Sequence, residues 1–72
     1  MSKINMSVFA NYCKSLEYHQ RLELRKELEK ETEYSQCAVW NWMNALRAPK
    51  KPVLKIIAGV VGINVEELFP EV

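Results

Sequence analysis

The sequence predicts an all-α fold, a compact bundle of five short helices in one unit, on three observations. No proline precedes Pro49 and no glycine precedes Gly59, so nothing before the middle of the chain forces the backbone out of a helix. Apolar residues recur at helical spacing, first as Ile4, Val8, Phe9, Tyr12 and Leu16. Residues 20–31 are mostly Arg, Lys, Glu and Leu, straight-chain side chains that give up little freedom in a helix.

Taken in order, the first helix is expected over residues 5–17, with Asn5 or Ser7 as its N-cap. A break near Tyr18 and His19 follows, because Leu24 and Leu28 begin a pattern on a new phase, and His19 reads as a loop residue. The second helix spans about 20–31. Its opposite charges meet at i, i+3, as in Glu23 with Lys26 and Glu27 with Lys30, which marks it as chiefly a solvated scaffold. Thr32, Glu33 and Tyr34 make a short connection, with Tyr34 plugging the corner, and Ser35 caps a third helix over about 35–44. Two helices joined by three or four residues have the spacing of a helix-turn-helix. Residues 45–51 read as a loop. Pro52 opens a fourth helix, about 52–61, that Gly62 terminates, with Leu54, Ile57, Ala58 and Val61 inward. Asn64 with Glu67 is a capping-box-like start for a last short helix, Val65 to Phe69, stopped by Pro70.

The third helix organises the rest. At 100° per residue Val39, Trp42, Met43 and Leu46 share one face, and Gln36, Cys37, Trp40, Asn41 and Asn44 share the opposite one. A surface helix ordinarily turns charged side chains outward, whereas this one offers amides, a thiol and an indole. Asn and Gln present a paired donor and acceptor to the edge of adenine, and a short neutral side chain meets the thymine methyl, so the face suits a DNA major groove. The competing reading is a helix whose outer face meets another protein. Trp40 and Trp42 cannot face the same way. Trp42 takes the core by phase, which leaves Trp40 beside DNA, folded against the second helix, or anchoring a partner protein.

Seventy-two residues make one domain, 1–72, that buries only about 60% of its unfolded surface, too little for a large enclosed substrate pocket. No apolar run is long enough to span a bilayer and the start lacks a secretory pattern, so a soluble, cytoplasmic protein without a membrane partner is expected. Cys13 and Cys37 fall in no metal-binding cluster and read as free thiols in a reducing compartment. Cys37 reads as a small contact residue in preference to an oxidation sensor. With one His, no Asp and no nucleophile beside a base, neither a catalytic residue, a metal, a cofactor nor a small-molecule substrate is expected. The net charge of +1 argues against a strongly basic nucleic-acid binder, but its distribution matters more than the sum. From Tyr34 to Val65 there is no acidic residue, while Arg47, Lys50, Lys51 and Lys55 all fall in that window. Short of chance clustering, the neutral-to-basic half coincides with the third helix.

The register of Leu28, Tyr34-Ser35, Val39, Trp42, Asn44, Arg47 and Pro49, then Leu54, Ile57-Ala58, Gly62-Ile63 and Glu67-Leu68, carries a family likeness. From Leu28 to Phe69 the chain resembles, without a gap, the helix-turn-helix domain of the Cro and lambda-repressor family, often called XRE-type. The resemblance implies a five-helix domain with its third helix in the major groove of double-stranded DNA, commonly as a homodimer on a two-fold operator, acting as a transcriptional regulator of bacterial or phage type. Carried over by position, it implies Gln36, Cys37 and Asn41 as base readers with Trp40 beside them. It implies Ser35, Asn44, Arg47, Lys50 and Lys51 as phosphate contacts. Glu29, Glu33 and Ala45 depart from the family, which often has Ala at the first position and Gly at the other two. A left-handed turn at Ala45 has to be carried by a residue with a Cβ, or the turn differs. The sparse cations predict modest non-specific affinity.

Val53, Ile56 and Val60 form a second apolar stripe on the fourth helix, more than 100° round from its inward face. Either the first helix covers it, or a second copy of the chain does, with Phe69 and Val72 adding to the seam. The leading function is therefore sequence-specific DNA binding; the alternative is an interaction module, antitoxin-like or an adaptor, that uses the same helical surface for a protein.

Overall fold

The computed structural model describes residues 4–70. Five helices run in the order α1 (Ser7–Ser15), α2 (Tyr18–Thr32), α3 (Gln36–Met43), α4 (Lys51–Val61) and α5 (Val65–Leu68). The all-α expectation and the number of helices hold, and no boundary moves by more than two residues. Asn5 sets the start of α1 from outside the helix, its Oδ1 accepting from the Ser7 N–H at 2.8 Å. The first break falls at Leu16 and Glu17, ahead of the expected position. Gln20 Oε1 accepts from the Glu17 N–H at 3.0 Å, the return half of a capping box. Tyr18 and His19 thus lie in the first turn of α2, and the loop expected at His19 does not exist. Ser35 caps α3 as expected, accepting from the Ala38 N–H at 3.2 Å. Asn64 caps α5 through the Glu66 N–H at 2.8 Å.

The core gathers Phe9 and Cys13 of α1, Leu28 of α2, Val39, Trp42 and Met43 of α3, Val53, Leu54, Ile57 and Ala58 of α4, and Leu68 with Phe69. Around it α2 packs on α3 and α4, α1 on α3 and α5, and α4 on α5. The Phe9 and Phe69 rings lie 5.3 Å apart and bring the two ends of the chain together, where the Asn5 N–H also donates to the Pro70 carbonyl at 2.8 Å. Tyr34 does plug its corner, its ring centroid 5.0 Å from that of Trp42.

Two expectations about the core fail, each for a local reason. Leu46 is 73% exposed, because α3 ends at Met43 and the helical phase that put Leu46 inward ends with it. The second stripe of α4 is not one surface. Val53 is buried, Val60 is half-buried beside Tyr12 of α1, Leu16 in the break that follows and Leu24 of α2, and only Ile56 is exposed. The neighbouring helices therefore take most of what the proposed dimer seam required. Phe69 is also in the core, and Val72 lies outside the described residues.

Helices α2 and α3 both end through left-handed residues that carry a Cβ, Glu33 at φ 60° and Ala45 at φ 59°. The left-handed turn required at Ala45 is present, closed by the Leu46 N–H on the Asn41 carbonyl at 2.8 Å. A Cβ in this region costs about 1–2 kcal/mol, against about 0.4–1 kcal/mol of extra unfolded-state entropy for glycine. Ala45→Gly and Glu33→Gly are each expected to stabilise the chain by about 0.5–1 kcal/mol, read as a rise of several degrees in Tm. An unchanged or lower Tm for either would mean that the left-handed conformation at that position is wrong.

Candidate functional site

The outward side of α3 is a ridge with a hollow on either side. One hollow, of about 500 Å³, lies between α3 and the segment that leads into α4, and Ser35, Cys37, Asn41, Arg47 and Lys50 border it over a floor that includes Trp42 and Pro49. The expected readers Cys37 and Asn41 are thus brought together with three of the expected phosphate contacts. Backbone bonds hold the two sides of this hollow in place. The Asn41 carbonyl accepts from both Leu46, at 2.8 Å, and Arg47, at 3.4 Å, strapping the turn to the last turn of α3. Pro49, buried, fixes the chain between Arg47 and Lys50.

Gln36 stands exposed in the first turn, and its amide makes no hydrogen bond among the described residues. Cys37 is exposed, 4.0 Å from the Asn41 Nδ2, a distance at which the contact constrains neither side chain strongly. Asn41 is half-buried, with no glutamate bordering its hollow. Arg47 and Lys50 are exposed, and neither has a carboxylate partner among the described residues. An open amide without a partner, as at Gln36, can still choose one, whereas an amide spent on its own chain cannot.

Trp40, Asn44 and Lys51 are placed elsewhere. Trp40 is half-buried on the other flank of the ridge, in a notch of about 180 Å³ with Lys14, Tyr18, Arg21 and Asn44. The Arg25 guanidinium lies 5.9 Å from its ring centroid, so of the three places open to Trp40 it takes the one against α2. Asn44 spends one amide hydrogen on the Trp40 carbonyl at 2.8 Å as it closes α3. Lys51 faces a separate hollow with Lys55, Glu66 and Phe69, away from the ridge.

Periodicity missed Arg21 and Arg25, because α2 reads as solvated along its length, and it gave Lys14 of α1 no role. Yet Arg21 and Arg25 stand seven and three residues before Leu28, on the face of α2 that turns inward. Arg25 is nearly covered, its Nη1 2.7 Å from Glu29 Oε2, and the Nε atoms of both arginines are enclosed without an acceptor. That spacing was the available signal. His19 is exposed, 3.5 Å from Glu17. Among the described residues no group of three or more His, Cys, Asp or Glu is placed to hold a metal, and no helix is long and apolar enough to cross a membrane.

Comparison with protein-family models, with curated proteins and with solved structures finds no match to this chain.

Proposed function

We propose that this chain binds double-stranded DNA in a sequence-dependent way and regulates transcription, with α2 and α3 as the helix-turn-helix and α3 in the major groove. Gln36, Cys37 and Asn41 read base edges on this reading, while Ser35, Arg47 and Lys50 hold the backbone beside them. The observation that carries it is the hollow beside α3: Cys37 and the half-buried Asn41 amide next to two cations without a carboxylate partner among the described residues, no carboxylate bordering it, and the Gln36 amide exposed in the first turn of the same helix. A solvated scaffold helix would expose charges of both signs there, and an anionic groove would repel a strand carrying a phosphate at every step.

Selection from random duplex DNA, followed by salt titration, tests this. Duplex affinity is expected to fall steeply with added salt, and Lys50→Ala to weaken all sequences alike, lowering the slope of log K against log salt by about 1. Gln36→Ala and Asn41→Ala are expected to relax preference at particular base pairs, by about 1–3 kcal/mol each. A wild type that shows no salt-dependent duplex binding sinks the reading. The interaction-module alternative has one observation in its favour, the 73% exposure of Leu46 in the turn that follows α3. It predicts a complex that survives high salt and is lost on Leu46→Ser.

A further inference from the structure

We propose that Glu29 and Arg25 form a clasp that sets the rotation of α3, and with it which bases Gln36, Cys37 and Asn41 read. Glu29 holds the Arg25 guanidinium and the guanidinium holds the Trp40 ring, so both are positioning residues that act through α3. The proposal rests on the DNA-binding reading of α3 and deepens it, by naming what fixes the specificity of that site.

The clasp begins with a choice of partners on α2. Spacing offers Glu23 with Lys26 and Glu27 with Lys30, yet neither pair forms among the described residues. The ion pair that does form within the helix is Arg25 with Glu29, Nη1 to Oε2 at 2.7 Å. It lies where water screens it least, since the two side chains are 12% and 27% exposed. Arg25 Nε is enclosed without an acceptor, so Glu29 is the carboxylate that answers this guanidinium. A covered charge deprived of its partner is costly and turns out toward water. Glu29 also stands where the family that the chain resembles often has alanine, a side chain too short to reach Arg25.

The guanidinium then meets the reading helix. Its Cζ lies 5.9 Å from the centroid of the Trp40 ring, within the range at which a cation is drawn to the face of an indole. Trp40 is three residues after Cys37 and one before Asn41. Val39, Trp42 and Met43 fix one side of α3 in the core, and Trp40 fixes the flank that meets α2. With its side chains a helix is about 5–6 Å in radius, so a rotation of about 10° carries their tips about 1 Å. A reading constellation has to be held within about 0.5 Å. Loss of the clasp therefore costs discrimination between bases while the core still holds the fold.

The test compares wild type, Glu29→Ala, Glu29→Gln and the double variant Arg25→Met with Glu29→Leu. Affinity is measured across a salt series for the duplex that wild type selects and for a mixed-sequence duplex, and thermal melting checks that each variant is folded. Glu29→Ala is expected to lower the ratio of the two affinities by about tenfold, which is within the worth of one good base contact, and to leave the salt slope unchanged. Glu29→Gln keeps an acceptor for Nη1 and should recover part of the ratio. The double variant replaces a covered ion pair by apolar side chains of similar size, and should melt no lower than wild type yet still lack the ratio. Loss of stability alone cannot give that split. Fluorine NMR of fluorotryptophan-labelled protein reads the clasp without DNA. The Trp40 resonance, assigned by its absence in Trp40→Phe, should move in Glu29→Ala while that of Trp42 stays. If wild type selects a sequence and Glu29→Ala keeps the wild-type ratio, the clasp is wrong and the reading of α3 stands. A double variant that keeps the ratio, or a Trp40 resonance that does not move, also ends it, and the double variant decides alone where Glu29→Ala does not fold. If wild type binds no duplex, the reading of α3 falls and the proposal with it.

Discussion

Trp42→Ala is expected to leave most molecules close to unfolding at room temperature. The indole is 4% exposed, packs with Val39 and Met43 in the core, and meets the tilted Tyr34 ring at 5.0 Å at the corner between α2 and α3. Truncating a buried tryptophan costs about 3–5 kcal/mol, the lost transfer energy plus the cavity left behind. A domain of this size has on the order of 4–11 kcal/mol in total, so one side chain accounts for much of it. The loss extends to the site, because the same ring is part of the floor under Cys37 and Asn41. Urea unfolding gives the measurement. The midpoint should fall steeply for Trp42→Ala and far less for Trp42→Phe, which keeps a ring against Tyr34. Equal midpoints for the two variants would show that the ring is not the wedge that joins α3 to that corner.

Cys13 is expected to make the fold labile to alkali. Burial pushes its thiol up from the ordinary 9.0 to about 12, against a smaller opposing pull from Arg21. In the unfolded chain the thiol releases its proton near 9.0, whereas the folded chain keeps it until about 12. Unfolding therefore releases a proton anywhere between those values. Stability from this group is complete below pH 9 and falls as pH rises, at about 1.4 kcal/mol per pH unit, to a loss on the order of 4 kcal/mol by pH 12. Tyrosines and lysines titrate in the same range, so the informative quantity is the difference between wild type and Cys13→Ala. Near neutral pH wild type should be the more stable, because the alanine leaves a small void in the core. That advantage should shrink and reverse as pH rises above 9. A difference that stays constant with pH would mean that the Cys13 thiol is not held in an apolar site.

How far each residue could be read from the chain depends on how local its signal is. Ser35 is an N-cap because a hydroxyl beside free amides is sufficient, and Gly62 ends α4 at φ 83° because a left-handed residue is easiest without a Cβ. Val39, Trp42, Met43, Leu54, Ile57 and Ala58 are buried where their spacing placed them. Leu46 shows the limit of that method, since a phase is meaningful only while the helix continues. Trp40 shows another: its angle on α3 was right, and only the path of α2 decided that the ring would be covered by Arg25. Val53 and Ile56 are three residues apart on one helix, yet the first is in the core and the second is open.

By itself, then, the sequence determined which segments are helical, the caps at Ser35, Gly62 and Asn64, the apolar side of α3 and most of that of α4, and that no acidic residue falls between Tyr34 and Val65. Spacing along a chain fixes each side chain's angle about its own helix axis, and caps and left-handed turns act within a few residues. Only the tertiary structure decided what lies opposite each angle. It divided the outward side of α3 between a hollow holding Cys37, Asn41, Arg47 and Lys50 and a notch holding Trp40 with Lys14 and Arg21. That division depends on how α1 and α2 cross α3, which is set by the packing of Phe9, Cys13, Leu28 and Trp42 across long sequence separations.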